Sequence, residues 1–265
     1  MAMIQIDGLT RRFASLVAVD GLSLSIDRGE IFGLLGPNGA GKTTTIKMLT
    51  TLLPPSAGTA RVAGFDIVRQ PREVRGVIGY VPQMLSADAS LTGYESLLVF
   101  ARLYSLPWRQ RKQRVQDALE FMGLSDSAHR MVRQYSGGMI RRLEIAQSLL
   151  HDPRVLFLDE PTVGLDPGAR RVVWDHIQQL RARLGATVVL TTHHMEEADL
   201  LCHRVAIMHR GKVVALGAPA ELKGSTGRED ATLDDVFIRC TGSDLESGGT
   251  YRDTRHARRS ARRLS

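Results

Sequence analysis

GPNGAGKTTT, Gly36 to Thr45, stands between an apolar run, IFGLL (Ile31 to Leu35), and a helical stretch, TTTIKML. It fits G-x-x-x-x-G-K-[ST] in full, as Gly36, Gly41, Lys42 and Thr43, with the strand before it and the helix after it that the pattern requires. Glycines let such a loop curl so that successive backbone N–H groups point inward, and the helix N-terminus adds a favourable dipole. The product is a cradle for phosphate oxygens. Lys42 is placed to reach the β- and γ-phosphates of a nucleoside triphosphate, and the Thr43 hydroxyl to ligate Mg²⁺. Pro54 and Pro55 are expected to stop the helix.

The second half of the site is VLFLDE, Val155 to Glu160, an apolar β-rich run, too short for a helix, that ends in two acids. It reads as a central parallel strand buried on both faces, with carboxylates delivered at its C-terminal edge, where open α/β sheets bind ligands. Asp159 is then the residue to hold Mg²⁺ through its water shell. Glu160, one residue on, is the general base that polarises a water in line with the γ-phosphate. Between the halves lies RQYSGGMIRRLEIAQSLLHDP. Ser136, two glycines, and apolar Met139, Leu143, Ala146 and Leu150 at i, i+4, i+7 and i+11 describe an N-capped amphipathic helix ended by Asp152-Pro153. That segment is either a capped core helix or, because paired glycines allow a close backbone approach, a second anion site.

The order Gly36 to Thr44, Gln83, Tyr135 to Met139, Val155 to Glu160, Gly164-Leu165-Asp166 and His193 strongly resembles the ATPase subunits of ABC transporters, over about residues 3 to 217. Met139 stands where Gln is commoner. Together with TTLLPPSAGTARVAGFDI, YSGGMIRRLEIA and TLDDVF (Thr232 to Phe237), that departure looks like the daunorubicin/doxorubicin-resistance type of exporter ATPase. The resemblance implies an α/β P-loop ATPase with a parallel-sheet core, an N-terminal antiparallel β-subdomain and an inserted helical subdomain, using ATP and Mg²⁺.

Residue roles follow from the resemblance in the same way. Phe13 would stack on adenine where tyrosine is more usual, a simple core Phe being the competing reading. Asn38, Gly39, Gly41, Lys42, Thr43 and Thr44 would cradle the phosphates, and Gln83 would touch Mg²⁺ or the attacking water. Ser136 and Gly138 would bind the γ-phosphate of ATP held by another subunit. Asp166 would lie in the loop that crosses that interface, or serve as a turn residue before Pro167. Of the two histidines after ATVVLTT, His193 directly follows the final Thr, so it is the one that would contact the γ-phosphate and the water of Glu160. His194 matches a variable position, and His203 replaces the usual Asp with a local effect.

At 265 residues and 43% apolar, the chain is expected to form one globular unit with subdomains. IQIDGL and LSLSI alternate and suggest antiparallel strands within residues 1 to about 30, with parallel strands near 31–35, 155–159 and 187–191. From about 84 to 150 the sequence turns helical: Thr92-Gly-Tyr-Glu95 is a capping box opening SLLVFARLY, and WRQRKQRVQDALEFMGL is a second amphipathic run ending near Gly123. In the family this inserted segment contacts the membrane partner. The division is a nucleotide-binding domain over 1–217 and an extension over 218–265. Longer members place a small regulatory domain before TLDDVF; here GSTGRED, Gly224 to Asp230, leaves room only for a polar link.

The net charge is +7, and the tail from Tyr251 supplies +5 of it through six arginines against Asp253. The body is therefore near neutral, and no nucleic-acid partner is expected. The tail itself is either a solvated end or an electrostatic contact with anionic lipid or a membrane partner. Cys202 and Cys240 lack CxxC or Cys/His spacing and are expected to be buried thiols. No apolar run approaches the roughly 18 to 20 residues of a spanning helix, and the N-terminus lacks a signal-peptide core. The expected place is the cytoplasmic face of the cell membrane, held peripherally.

One set of motifs occurs, so a double site calls for two chains, most simply a homodimer, working on a separate multi-span permease. A soluble relative acting on nucleic acid or ribosomes typically carries two motif sets or a long coiled coil. A regulator without turnover would leave Glu160 idle. Cargo selection belongs to the permease; the resemblance implies export of a drug, antibiotic or other hydrophobic compound.

Overall fold

The computed structural model describes residues 2–228 and 230–242, so the arginine-rich tail lies outside the described residues. In chain order the strands are β1 (Ala2–Phe13), β2 (Leu16–Asp27), β3 (Ile31–Leu35), β4 (Ala57–Val62), β5 (Phe65–Asp66), β6 (Ile78–Val81), β7 (Val155–Asp159), β8 (Thr187–Thr192), β9 (Arg204–His209) and β10 (Lys212–Gly217). The helices are α1 (Lys42–Leu49), α2 (Pro71–Val77), α3 (Gly93–Leu103), α4 (Trp108–Phe121), α5 (Gly137–Leu149), α6 (Pro167–Leu184), α7 (Met195–Leu201), α8 (Pro219–Gly224) and α9 (Leu233–Thr241).

Among the described residues the strands form two sheets. An antiparallel one runs β2-β1-β4-β5; the other runs β10-β9-β3-β8-β7-β6, parallel from β9 to β6 with β10 antiparallel at its edge. β3, β7 and β8 are buried along their whole length, which is why they read as unbroken apolar runs. Side chains alternate across this sheet. Leu156 and Leu158 face a cluster with α3, α5 and α6, whereas Val155 and Phe157 face one shared with α1, β1 and β2. The parallel sheet is thereby held between a helical layer and the antiparallel sheet.

Local signals placed the helices that flank the site. The α3 capping box forms, with Thr92 Oγ1 accepting from the Glu95 N–H at 3.2 Å and Glu95 Oε2 accepting from the Thr92 N–H at 2.9 Å. The Ser136 hydroxyl caps α5 by accepting from the Met139 N–H at 3.3 Å, and Leu143, Ala146 and Leu150 are buried. α9 folds back so that Leu233, Val236 and Phe237 join the same cluster as α7 and β8.

Three expectations need correction. The antiparallel sheet is not confined to residues 1–30: β4 and β5 join it from beyond α1, with Ile4 opposite Val62. AGTARV buries only Ala60 and Val62, too little alternation to announce a strand. Second, α1 stops before Pro54-Pro55. Thr51 turns left-handed at φ 63°, the Leu52 N–H reaches Lys47 O at 2.9 Å, the Thr51 N–H reaches Met48 O at 3.1 Å, and the Thr50 hydroxyl donates to Ile46 O at 2.9 Å, closing the last turn without the prolines. Third, Cys202 is buried but Cys240 is exposed. Helical spacing puts Cys240 on the face of Val236 and Phe237, yet one turn further along, past the surface that covers them.

Candidate active site

The loop after β3 is shaped by what its glycines must avoid. A Cβ on Gly36 would lie 2.2 Å from Met208 O, and one on Gly41 2.5 Å from Ala18 O; both residues also have positive φ, 146° and 106°. No L side chain fits there. The curl draws Lys42 inward until its side chain is 5% exposed, and its ammonium donates to Gly36 O at 2.7 Å and Pro37 O at 3.2 Å. Burial lowers the Lys42 pKa, opposed by the carboxylates of Glu160 and Asp159.

β7 brings those carboxylates. Asp159 Oδ1 accepts from Thr191 Oγ1 at 2.6 Å and from Thr43 Oγ1 at 3.0 Å. Glu160 has left the strand conformation, with φ 50°, and its N–H is held by Thr191 O at 3.1 Å and Thr191 Oγ1 at 3.0 Å. A left-handed glutamate is strained, and such strain gathers at functional sites. Its buried carboxylate meets Lys42 Nζ at 3.2 Å, His193 Nδ1 at 3.0 Å and Gln83 Nε2 at 3.4 Å. Tyr80, on β6, is pushed up to about 12 by burial and by the Asp159 charge.

These groups come from the loops and ends of four neighbouring strands, β3, β8, β7 and β6, all at their C-terminal edge. Thr43 Oγ1 and a 1%-exposed Asp159 are hard oxygen donors, suited to Mg²⁺, which takes its remaining ligands from phosphate and water. No cluster of three His, Cys, Asp or Glu side chains that could cage a metal occurs among the described residues. A cavity of about 530 Å³ opens elsewhere, at the N-terminal edge beside Arg154 and Gly185; Met3, Arg28 and Asp152 line it, and none of the acids above do.

The other sequence-marked residues lie around or apart from this cluster. Asn38 and Gly39 are exposed at the loop crest, and Thr44 is half-buried on the first turn of α1. Phe13 is not a core residue: it is 42% exposed at the β1–β2 tip, with the Arg11 guanidinium 4.6 Å from its ring. Ser136, Gly138 and Asp166 form a second group where α5 and α6 begin side by side. Asp166 Oδ1 caps α6 by accepting from the Ala169 N–H at 2.9 Å, and a Cβ on Gly138 would lie 2.7 Å from Ala169 Cβ. Ser136 and Gly137 are exposed. His203 accepts from the Ile31 N–H at 3.2 Å, a local strand contact.

Three supporting features were not marked in the sequence. Thr191 fixes both acids, and its one signal was a polar residue inside a buried strand. Glu197, buried after the two histidines, accepts from Thr162 at 2.7 Å and from the Trp174 indole at 2.8 Å. Arg141 and Glu144 are buried on α5 at 1% and 3% exposure, amid a count of apolar positions that passes over them.

Comparison with known proteins agrees with this geometry. The ABC transporter family pattern matches residues 19–163. The chain is 46% identical over 239 residues to a daunorubicin resistance ATP-binding protein of Streptomyces coeruleorubidus, covering 90% of this chain and 74% of that one. It is 46% identical over 224 residues to Nod factor export ATP-binding protein I of Paraburkholderia xenovorans, covering 84% and 73%. A solved ATP-binding subunit of an ABC transporter superposes with a TM-score of 0.79 at 28% identity, over 90% of this chain and 99% of that one. A glycine-rich loop with its buried Lys42, two strand-end acids and His193 joined in one cluster, on a chain so related, belong to an ATP-hydrolysing subunit of the ABC transporter family.

Proposed function

We propose that this subunit powers a separate multi-span permease from the cytoplasmic face of the membrane, exporting a drug, antibiotic or other hydrophobic compound. The convergence of Lys42, His193 and Gln83 on Glu160 supports the ATP-hydrolysing part of this reading most directly. Export rests on the two relatives, named for daunorubicin resistance and Nod factor export. Residues 1–217 would form the nucleotide-binding domain, with a helical part over about 84–150 and an extension from 218. Met84, Leu103 and Trp108 are exposed apolar side chains of that helical part and would be its contacts to the permease.

In this reading Asn38, Gly39, Gly41, Lys42, Thr43 and Thr44 hold the phosphates, and the exposed ring of Phe13 receives the adenine. The incoming phosphate competes with Glu160 for the Lys42 ammonium. Glu160 then takes the proton of the attacking water at its freed oxygen as that water bonds the γ-phosphorus and the bond to the leaving ADP oxygen breaks, while His193 and Gln83 orient the carboxylate and the water. Mg²⁺, when bound, neutralises phosphate charge; Thr43, Asp159 and Gln83 would hold it. Ser136, Gly138 and Asp166 act on the nucleotide of a second copy, so that two ATP molecules are sandwiched in a homodimer.

Glu160→Gln tests both halves. ATP hydrolysis should fall by about 10² to 10⁴, the usual worth of a general base, with ATP binding kept. Light scattering of this variant should show an ATP-dependent shift from monomer to dimer. Hydrolysis at the parent rate would remove Glu160 as the base; a mass unchanged by bound ATP, with and without the permease, would remove the two-chain site.

A further inference from the structure

Phe13 ends β1, and only Ala14 and Ser15 separate it from β2. Ala14 turns left-handed at φ 47°, so the ring sits at the tip of a tight hairpin. Phe13 joins neither hydrophobic cluster of the described residues. Its ring instead lies under the Arg11 guanidinium, whose Cζ is 4.6 Å from the centroid and within cation–π range. Arg11 pairs with no carboxylate among the described residues, and its Nε is buried without a hydrogen-bond partner. The guanidinium therefore covers the ring at the expense of one hydrogen bond.

Arg11 is itself tethered. Its Nη1 donates to Pro54 O at 2.8 Å, and its chain neighbours tie the same two segments together: the Arg12 N–H donates to Ser56 Oγ at 3.0 Å and the Ser56 N–H to Thr10 O at 2.8 Å. Thr10 stands opposite Ala57 where β1 pairs with β4. Pro54 and Pro55 stiffen this segment, because each fixes its own φ. Just before them the Leu53 N–H donates to Lys47 O at 3.0 Å, which fastens the segment to α1. One hydrogen-bonded connection thus runs from Lys42 along α1, through Pro54, to Arg11 and the ring of Phe13. Arginine suits its end, since a planar guanidinium can stack on a ring and still donate in its own plane to a carbonyl.

We propose that Arg11 is a positioning residue for the nucleotide base: tethered to Pro54, it backs one face of the Phe13 ring and holds the other face ready for adenine at a fixed reach from the glycine loop. The inference rests on the role given above to Phe13. A side chain that must be ordered on binding weakens affinity, and a ring fixed beforehand avoids that loss. The segment between α1 and β4 then sets the distance between base and phosphates.

Calorimetric binding of ATP and of inorganic tripolyphosphate, which carries the phosphates without the base, tests it on the full chain, Arg11→Met, Phe13→Ala and the pair. Mg²⁺ is left out so that nothing is hydrolysed. Arg11→Met should raise the Kd for ATP about three- to tenfold, the worth of a cation–π contact and an ordered side chain. The Kd for tripolyphosphate should stay within about twofold, and the same substitution should cost ATP nothing further once Phe13 is alanine. Equal weakening of both ligands would make Arg11 merely a charge that attracts phosphate, and tighter ATP binding would mean that its guanidinium occupies the place of the base. Either result, or an undiminished loss in the Phe13→Ala background, overturns the proposal. If Phe13→Ala leaves the ATP Kd unchanged, the adenine role of Phe13 fails and the proposal with it; if Phe13→Ala weakens ATP and Arg11→Met does not, Arg11 alone is removed. Should Arg11→Met fold poorly, Arg11→Lys takes its place: an ammonium cannot both cover the ring and hold Pro54 O, so the ATP Kd should rise about twofold or more, with the same outcomes deciding.

Discussion

α1 and α5 both begin on glycines, but their surroundings differ. At the start of α1 the chain's own side chains close in on the glycine loop: Lys42 is buried, Asp159 holds Thr43, and Glu160 meets Lys42 at 3.2 Å. At the start of α5 the chain supplies a hydroxyl cap and the first turn of α6, leaving Ser136 and Gly137 exposed. The glycines also differ in kind. Gly41 needs a backbone conformation that other residues avoid, whereas Gly138 needs only space, because Ala169 stands where its Cβ would go. The first start is a site finished by its own fold; the second is a surface prepared for something brought to it, which in our reading is the nucleotide of a second copy.

Substitutions can break that contrast, beginning with the largest expected effect. Gly41→Ala combines a forbidden φ with backbone contact to Ala18 O, and should cost about 2–5 kcal/mol of unfolding free energy together with nucleotide binding. Denaturant unfolding at parent stability would show that the backbone does not dictate this loop. Gly138→Ala should cost about 1–3 kcal/mol by overpacking against Ala169, and adding Ala169→Gly should restore most of it. If stability returns in the double variant and ATP-driven dimerisation does not, Gly138 has a second role at the interface. Absence of any rescue would mean that the contact is not what requires glycine.

Ser136→Ala should lose about 1 kcal/mol through the missing cap. Ser136→Asn keeps a capping acceptor and so separates the cap from any contact with a second chain, read as the ATP-dependent mass shift. The last effect is absent at neutral pH, is electrostatic, and belongs to the first site alone. Tyr80 has its pKa raised from 10.0 to about 12, so the native state resists losing this proton. The stability this represents is fully present below about pH 10 and is lost as pH rises through about 12. Tyr80→Phe should flatten part of the alkaline fall in unfolding free energy; an identical pH profile would mean that neither burial nor the Asp159 charge raises the Tyr80 pKa.

The finished site was legible because its signals are local. Gly36, Gly41, Lys42 and Thr43 are close in the chain, and VLFLDE carries strand, burial and acids within Val155 to Glu160. The capping box of α3 was readable for the same reason: a side chain bonds a backbone group three residues away. The hidden features depend on distance along the chain. β4 becomes a strand through pairing with β1, Arg141 is buried because Pro82 and Gln83 present carbonyls to it, and Thr191 matters because β8 lies beside β7. The end of α1 was misplaced for a different reason. Prolines are a visible stop, but a left-handed threonine has no composition signal.

The sequence by itself determined the local motifs: a glycine-rich loop ending in Lys42 and Thr43, a pair of strand-end acids, a histidine after a strand and the order in which they occur, because each motif folds through bonds between near neighbours. Only the tertiary structure decided that Lys42, Gln83 and His193 meet on one oxygen-bearing side chain, Glu160. Parallel pairing of β3, β8, β7 and β6 brings their C-terminal ends together, although more than a hundred residues of chain separate Lys42 from Glu160. Burial then strengthens charges that solvent would have screened. The same long-range packing put an arginine out of water on α5, where the fold supplied two carbonyls and a carboxylate to meet it.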